Sequence, residues 1–304
     1  MGIGDILAGA RFAAIRAIDR FITQPRRQKA WARQRAPFRH HSGEGYRFTL
    51  YPGEYVDQHI FVHGIYEKRF LQLLRGRFDQ DAIALDIGAN IGNHAIYLAG
   101  TFAVIHAFEP NPTVLSRLRD NIALNGLDDD IRVHPVGLGA TTEILAFREN
   151  NDGNLGASGF LKADEEVDAL TRVSELQIVN ADEYVGQLAL PRLDFVKVDV
   201  EGWEASLFEG LSETIRRHRP VVAFEFHGQD AAPGEYDRIL AALPGYVIAE
   251  PTFARAAGTI IEKAAWNVTR RGRPSLERID RPDARTYENL LGFPDAGSFE
   301  RFAR

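Results

Sequence analysis

The chain contains no cysteine among its 304 residues. This absence excludes a disulfide framework, a thiolate nucleophile and any zinc or iron–sulfur site that cysteine would ligate. It is compatible with a reducing compartment, and we predict a cytoplasmic protein. Apolar runs of membrane-spanning length are also absent, so the sequence predicts no transmembrane helix.

Positive charge is scarce over most of the chain. The formal net charge is −6, which argues against nucleic acid as a partner of the whole chain. The exception is the segment 1–40, which contains nine Lys or Arg residues and two Asp residues. Its charge is therefore +7, which leaves −13 for the remainder. Such an uneven distribution indicates a basic N-terminal arm.

Apolar residues recur at helical spacing over residues 3–22 and predict an amphipathic helix. Residues 23–45 are basic with little periodicity and predict a loose linker. The chain therefore divides into an N-terminal piece, 1–45, and one large α/β domain, 46–304. The helix either packs on its own domain or on the partner of a homodimer, or it lies on an anionic membrane surface as a peripheral anchor.

The domain is organised around residues 82–100, AIALDIGANIGNHAIYLAG. A short apolar run, interrupted only by Asp86, predicts a buried strand. Gly88, Asn90 and Gly92 then make a tight turn ahead of a helix, and glycine lets backbone and ligand approach closely. Strand, glycine turn and helix are the opening unit of a nucleotide-binding α/β fold.

The turn departs from the dinucleotide fingerprint, which requires three glycines. Asn90 and Asn93 stand where the second and third should be, which argues against the pyrophosphate of NAD or FAD. Glu109 ends the next strand, where its carboxylate can accept both hydroxyls of a ribose. An adenosine ligand without a pyrophosphate fits both facts, and S-adenosylmethionine (SAM) is the common one. Glu109 would bind the ribose, and Asn90 or Asn93 the amino-acid part.

Strands and helices alternate from residue 82 onward. The pattern predicts a doubly wound, Rossmann-like sheet of seven strands, mostly parallel and ending in an antiparallel strand pair, GYVIAEPTF and TYENLLGF. Between those two strands, the basic stretch 263–285 predicts a surface excursion. Asn111 follows the second core strand and predicts the N-cap of the next helix.

Four segments, LDIGANIGNHAIYLA, AFEPNP, LDFVKVDVEGWE and VVAFEFH, resemble the FkbM-type methyltransferases of the class I SAM-dependent superfamily. DVEGWE is the most specific of them, and the resemblance extends roughly over residues 57–294, counted by the strand–helix pattern. It implies methyl transfer from SAM to a hydroxyl acceptor, often on a sugar, a polyketide or a lipid-linked glycan.

The resemblance also extends the cofactor site. It implies that Glu67 closes over the methionine end of SAM, although a solvated helix charge is an equal alternative. Ser158 matches a glycine–serine loop of the family, with a plain surface turn as the alternative, and Asp182 matches the Asp after its extra strand. The predicted cofactor-binding residues are Glu67, Asp86, Gly88, Asn90, Gly92, Asn93, Glu109, Asn111, Ser158 and Asp182.

Ligands of parallel sheets bind at the carboxyl ends of the strands, and a hydroxyl acceptor needs a general base. The candidate catalytic residues at such ends are Asp199, Glu201, Glu225 and His227. Histidine has the pKa best suited to neutral pH. The alternatives are a His227 bonded to backbone, a salt bridge of Glu201 with Lys197 or Arg192, and a divalent metal held by the acidic residues.

The sequence therefore predicts a SAM-dependent O-methyltransferase whose acceptor is a small molecule, sugar or glycan. Two alternatives remain. A nicotinamide-dependent oxidoreductase is opposed by Asn90 and Asn93, and a catalytically silent module would use the same fold for interaction through its N-terminal helix. The acceptor pocket is expected in the loops 137–192 and 253–285, neither of which carries a recognisable signature.

Overall fold

The computed structural model describes residues 23–149, 159–160, 172–229, 231–252, 275–283 and 285–303. The helices are α1 Gln24–Trp31, α2 Tyr55–His63, α3 Lys68–Leu74, α4 Asn93–Leu98, α5 Pro112–Asn125, α6 Ala181–Gln187, α7 Glu204–Gly210, α8 Ser212–His218, α9 Glu235–Ala242 and α10 Ala296–Ala303. The strands are β1 Phe38–His41, β2 Arg47–Leu50, β3 Ile83–Ile87, β4 Val104–Phe108, β5 Ile131–His134, β6 Gly137–Gly139, β7 Glu143–Glu149, β8 Gly159–Phe160, β9 Arg172–Asn180, β10 Phe195–Val198, β11 Val221–His227, β12 Val247–Thr252, β13 Ser275–Arg278 and β14 Thr286–Phe293.

The main sheet has the strand order β13–β12–β14–β11–β10–β3–β4–β5. The five strands from β11 to β5 are parallel, and β14 runs antiparallel between β11 and β12. This confirms the predicted α/β fold with a mostly parallel sheet and antiparallel strands at one edge. The predicted count of seven strands is wrong, because β13 pairs with β12 as an eighth. That strand forms inside the stretch 263–285, which the sequence predicted as a surface excursion.

The central strands are buried along their whole length. Every residue of β3 and of β10 is buried, as expected for a parallel sheet that helices cover on both faces. Two apolar clusters fill these faces, one containing Ile96 and Leu118 and the other Phe208 and Ile239. The central strands are thereby held rigidly, and their carboxyl ends form a fixed edge.

A second, four-stranded sheet has the order β6–β9–β7–β8. Its centre is the antiparallel pairing of β7 with β9, while β6 joins β9 in parallel. β6 begins three residues after β5 ends, so the chain passes directly from the edge strand of the main sheet into the second sheet.

The segment ahead of the main sheet is more ordered than the sequence predicted. β1 and β2 form an antiparallel hairpin, and Trp31 of α1 is buried against the rings of Phe38 and Phe61, at centroid distances of 6.2 and 5.6 Å. The structure thus departs from the loose linker predicted over 23–45. The predicted domain boundary at residue 45 falls within this hairpin, and the division into two parts stays a prediction.

The amphipathic helix predicted over residues 3–22 lies outside the described residues. None of the helices in the described ranges is long and apolar enough to cross a membrane.

Candidate functional site

Strand register places several predicted site residues side by side. Val198 pairs with Ile87 and with Phe224, and Ile87 pairs with Phe108. One residue further on, the four strands present Glu109, Gly88, Asp199 and Glu225, in that order across the sheet. Neighbouring strands are about 4.8 Å apart, so three such steps, roughly 14 Å, separate Glu109 from Glu225.

A cavity of about 220 Å³ lies at this edge of the sheet. Its β4–β5 end is largely apolar, with Phe108, Val136 and Leu138 among the lining residues. Toward β10 and β11 the lining becomes acidic and aromatic, with Asp199, Glu201, Glu225, Tyr55 and Tyr66. The cavity therefore joins an apolar compartment to an acidic one.

Gly88 and Gly92 serve the packing of the chain itself. Gly88 has φ +79°, and a Cβ at this position would overlap the backbone carbonyl oxygen of Asp199. Gly92 has φ +88°, and a Cβ there would approach Leu118 to 2.8 Å. Gly88 thus allows the exits of β3 and β10 to meet, and Gly92 allows α4 to pack on α5. Gly88 also lines the cavity, and the close approach of a ligand to this turn stays a prediction.

Glu109 is buried and fixed by the backbone on both sides. Its Oε2 accepts a hydrogen bond from the Asn90 amide at 3.0 Å, and its Oε1 accepts one from the Asn111 amide at 2.9 Å. Burial raises the pKa of this carboxyl to about 7, against the lowering effect of the two amides. The carboxylate lines the cavity with hydrogen-bonding capacity left for a ligand, since each carboxylate oxygen can accept more than one bond.

Asn90 and Asn111 also line the cavity. Asn90 has a left-handed backbone, φ +50°, and its side-chain oxygen accepts from the Ile91 amide at 2.8 Å. Asn111 caps α5 as predicted, because its side-chain oxygen accepts from the Thr113 amide at 2.9 Å. The left-handed conformation of Asn90 turns the chain so that its amide N–H reaches Glu109.

Asn93 does not line the cavity. Its side-chain oxygen accepts from the Tyr66 amide at 3.0 Å, and its nitrogen donates to the Tyr66 carbonyl at 3.1 Å. The buried amide therefore ties the segment ahead of α3 to the glycine turn. The sequence predicts that Asn93 binds the amino-acid part of a cofactor, but its side-chain amide is already bonded to Tyr66 and lies outside the cavity lining.

Glu67 is held inside the protein. Its side chain is 7% exposed, Oε2 lies 2.9 Å from Nε2 of His94, and Oε1 accepts from the Asn289 amide group at 2.7 Å. The alternative of a solvated helix charge is therefore wrong. Glu67 also has a left-handed backbone, φ +51°, and such strained residues cluster at functional sites.

Lys197 is a buried cation beneath the acidic part of the cavity. Its Nζ donates to Oδ2 of Asp199 at 2.7 Å. Burial opposes the charge of Lys197, but Asp199 and Asp86 raise its pKa. Burial likewise opposes the charge of Asp199, and Lys197 outweighs that effect and lowers its pKa. Asp199 is therefore a permanent carboxylate at neutral pH.

The pair of Lys197 and Asp199 has a signal in the sequence. Lys197 and Asp199 are two residues apart in an apolar strand, a spacing that puts both on one face. Asp86 lies opposite Lys197 in the register of β3 and β10. It does not line the cavity, and its buried carboxylate oxygens have no hydrogen-bond partner among the described residues. Asp86 raises the pKa of Lys197 and contributes to the raised pKa of Glu109.

Glu225 and His227 form an ion pair, with Nε2 of His227 3.3 Å from Oε2 of Glu225. The hydrogen bond to Glu225 raises the pKa of His227 to about 9. Burial, with repulsion from Asp199, raises the pKa of Glu225 to about 7. The β11–β14 register shifts at Glu225, and bulges of this kind often adjoin active sites. The imidazole is thus directed at a carboxylate rather than at backbone.

Glu201 follows β10 with a left-handed backbone, φ +49°. The residue is exposed, yet desolvation by the surrounding protein raises its pKa to about 8, and Asp199 and Glu225 add repulsion. Neither predicted salt-bridge partner is available to it, because Lys197 pairs with Asp199 and Arg192 pairs with Asp194.

Two further predicted residues lie elsewhere. Asp182 accepts hydrogen bonds from the Glu213 and Thr214 amides at 2.9 and 2.8 Å, which makes it a cap for α8 rather than a cavity residue. Ser158 lies outside the described residues. Within the described ranges, His, Asp and Glu form no group of three or more that could hold a metal ion.

Comparison with known proteins gives a family for this site. The family model described as the methyltransferase FkbM domain matches residues 86–248, more than half of the chain. The hexuronic acid methyltransferase AglP of Haloferax volcanii is 29% identical over 187 residues, covering 61% of this chain and 72% of its own. The 31-O-demethyl-FK506 methyltransferase FkbM of Streptomyces tacrolimicus is 26% identical over 240 residues, covering 70% and 88%.

Among solved structures, a methyltransferase FkbM from Methylobacillus flagellatus matches with a TM-score of 0.44 and 20% identity, over 75% of this chain and 46% of that one. This likeness is too distant to inform the site. The family model runs from the end of β3 to the start of β12, a range that includes the glycine turn, Glu109 and the acidic residues of the cavity. The chain therefore belongs to the FkbM methyltransferase domain family and is a methyltransferase.

Proposed function

We propose that the chain is a SAM-dependent O-methyltransferase that acts on a hydroxyl group of a sugar, glycan or related small molecule. The observation that carries this proposal is the geometry of Glu109. Two backbone amides hold its carboxylate at the cavity wall, one strand away from the glycine turn. A ribose diol is the group that such a carboxylate binds at this place in an α/β sheet.

The residues around Glu109 suit a nucleoside without a pyrophosphate. Asn90 occupies the position where a dinucleotide fold needs its second glycine, and the Asp199 carbonyl covers the turn at Gly88. Phe108, Val114 and Leu138 supply apolar walls on the other side of Glu109, where an adenine would lie. When bound, SAM supplies a methyl group that is already activated for in-line transfer.

The protein must then align an acceptor oxygen and remove its proton. Asp199 is a weak base because Lys197 lowers its pKa. His227 carries a proton at neutral pH, since its pKa is about 9. Glu225 has a pKa of about 7 and lines the cavity. A pKa near the working pH is the best compromise for a general base, so we assign proton removal to Glu225, with His227 as its charged partner.

The names of the relatives support an oxygen acceptor without selecting one. They include a hexuronic acid methyltransferase, a 31-O-demethyl-FK506 methyltransferase and a 2-O-methyltransferase. The acidic lining of this cavity suits a sugar hydroxyl as the acceptor, because carboxylates accept hydrogen bonds from hydroxyl groups.

Calorimetric titration tests the cofactor. We expect SAM and its product S-adenosylhomocysteine (SAH) to bind and NADH not to bind. Binding of NADH alone would overturn the proposal. Incubation with SAM labelled in its methyl group and a pool of cell-envelope glycans tests the reaction. Glu225→Gln should abolish labelling while SAH affinity stays within a few-fold of the native value.

A further inference from the structure

We propose that the acidic part of the cavity selects its acceptor by charge. It takes a sugar-sized ring that is neutral or carries an amine, stacked on Tyr55, and it excludes a ring that carries a carboxylate or phosphate. This proposal rests on the methyltransferase function proposed above. We call this part the acceptor end and define it by its lining residues Tyr55, Tyr66, Asp199, Glu201 and Glu225.

The strand order separates the acceptor end from the nucleoside. Glu109 follows β4. Asp199 and Glu201 follow β10, two strands away, and Glu225 lies within β11, three strands away. A ligand whose ribose lies on Glu109 extends across β3 and leaves the space over β10 and β11 open. The residues there are free to contact a second molecule.

Tyr55 provides an aromatic surface at this position. It is 46% exposed although it is a large apolar side chain. Its ring centroid lies 4.4 Å from that of His59 and 6.0 Å from that of Tyr66, and these contacts hold the ring in place. An exposed aromatic ring on a cavity that carboxylates also line suits a sugar, whose C–H face stacks on the ring while its hydroxyls donate to the carboxylates.

The charges of the acceptor end do not balance. Asp199 has Lys197 as a partner, and Glu225 has His227. In the part of the chain that the structure describes, Glu201 makes no ion pair, and no lysine or arginine lines the cavity. Desolvation, with repulsion from Asp199, Glu225 and buried Glu204, raises the pKa of Glu201 to about 8. An incoming anion would find no lysine or arginine on the cavity wall to pair with, and above pH 8 it would also meet the ionised Glu201. Specific sites use such mismatches to reject wrong partners.

Three methyl glycosides that differ only at C6 test the proposal: methyl glucoside, methyl 6-amino-6-deoxyglucoside and methyl glucuronide. Their dissociation constants are measured by NMR titration against SAH-saturated protein at pH 8.5, above the pKa of Glu201. We expect the amino sugar to bind at least as tightly as the neutral sugar, and the glucuronide at least tenfold more weakly.

Two pairs of variants separate charge from stacking. Glu201→Gln should bring the dissociation constant of the glucuronide to within about threefold of that of the neutral sugar. Glu300→Gln removes an exposed charge from α10 and should leave the ratio of these two dissociation constants unchanged. Tyr55→Ala should weaken all three sugars by a similar factor, and Tyr55→Phe should not.

The proposal is overturned if the glucuronide binds native protein as tightly as the glucoside. It is equally overturned if none of the three sugars binds while SAH binds normally. Absence of SAH binding would be seen before any sugar is added. That result would overturn the proposed function together with this inference.

Discussion

Glu109 combines two demands that oppose each other. A ribose diol donates hydrogen bonds and therefore needs an ionised carboxylate, yet burial raises the pKa of this group to about 7. The raised pKa stabilises the ligand-free fold at low pH, and this contribution is lost as the pH rises through 7. The ionised form of Glu109, which binds the ligand, becomes the main form above pH 7. Raising the pH through 7 therefore lowers the stability of the ligand-free fold and raises the affinity for the ligand.

We expect SAH affinity to fall about tenfold between pH 8 and pH 6, because roughly nine-tenths of Glu109 is protonated one pH unit below its pKa. SAH is the suitable probe, since its neutral sulfur brings no charge to Glu201 or Glu225. Glu109→Gln should lower affinity at pH 8 at least tenfold, given about 1.5–3 kcal/mol for each charge-assisted hydrogen bond, and flatten the pH profile. Calorimetry measures both effects, and unchanged affinity in the variant would remove Glu109 from the site.

Gly88→Ala should destabilise the protein far more than an ordinary glycine substitution, because the added Cβ overlaps the Asp199 carbonyl. Gly126→Ala is the matched control. Gly126 also has positive φ, +67°, but no atom lies within 4 Å of a Cβ there. Thermal unfolding should show a loss of a few degrees for the control, corresponding to about 1 kcal/mol, and a much larger loss or no folded protein for Gly88→Ala. Equal melting temperatures would show that the two strand exits can separate without cost.

At the scale of secondary structure, local patterns predicted the strand ends well. The apolar runs of β3, β4, β10 and β11 are long enough to identify, and residues that follow them must meet at one edge. This is why Glu109, Asp199 and Glu225 could be placed together from the sequence. Their neighbours could not be assigned in the same way.

Asn289 contacts Glu67 across a separation of 222 residues, and the irregularity between β11 and β14 that brings it there leaves no local sequence pattern. The position of Asn93 in the turn predicts a ligand contact, because the local sequence says nothing about its hydrogen bonds to Tyr66. The eighth strand, β13, was missed because its burial is slight and its residues are largely polar. In each case tertiary pairing, rather than periodicity, decides the outcome.

The connection between Asn93 and Tyr66 is testable as a structural unit. Asn93→Ala should speed hydrogen exchange over residues 64–68 and weaken SAH binding several-fold, because two hydrogen bonds of about 1 kcal/mol each hold that segment beside the cavity. Asn125→Ala is the control. Asn125 bonds the backbone N–H and C=O of Arg47 in the same way, at 2.9 and 2.7 Å. It should speed exchange near residue 47 without changing SAH affinity, and an equal loss of affinity in both variants would contradict a local role for Asn93.

At the scale of the whole molecule, the uneven charge distribution gains a structural setting. α1 is docked on the protein, since Trp31 is buried and Arg27 donates to the Val62 carbonyl at 2.9 Å. Five cations of this segment remain exposed: Arg26, Lys29, Arg33, Arg35 and Arg39. A basic surface is therefore carried on a body of opposite net charge, and the segment 1–22 precedes it in the chain.

We expect residues 1–40 to bring the enzyme to an anionic membrane surface, where a lipid-linked acceptor would be found. Intact protein should sediment with vesicles of phosphatidylcholine and phosphatidylglycerol at low salt, release them as salt is added, and ignore pure phosphatidylcholine. Replacing the five exposed cations by glutamine should weaken vesicle binding at least a hundredfold, because each contributes about 1 kcal/mol near such a surface. Removing residues 1–22 should weaken it further if their apolar face inserts.

The apolar face of the helix predicted over residues 3–22 could instead dock on the domain or on a second subunit. Such docking does not require the exposed cations. The five-residue replacement discriminates between these uses, because it keeps Trp31 and Arg27 and so preserves the docking of α1. If native protein ignores anionic vesicles at low salt, or if the five-residue variant binds them as tightly as the native chain, the membrane role is wrong. Sedimentation equilibrium of the protein without residues 1–22 then decides between the remaining two, because loss of a dimer assigns the face to a second subunit and an unchanged monomer assigns it to the domain.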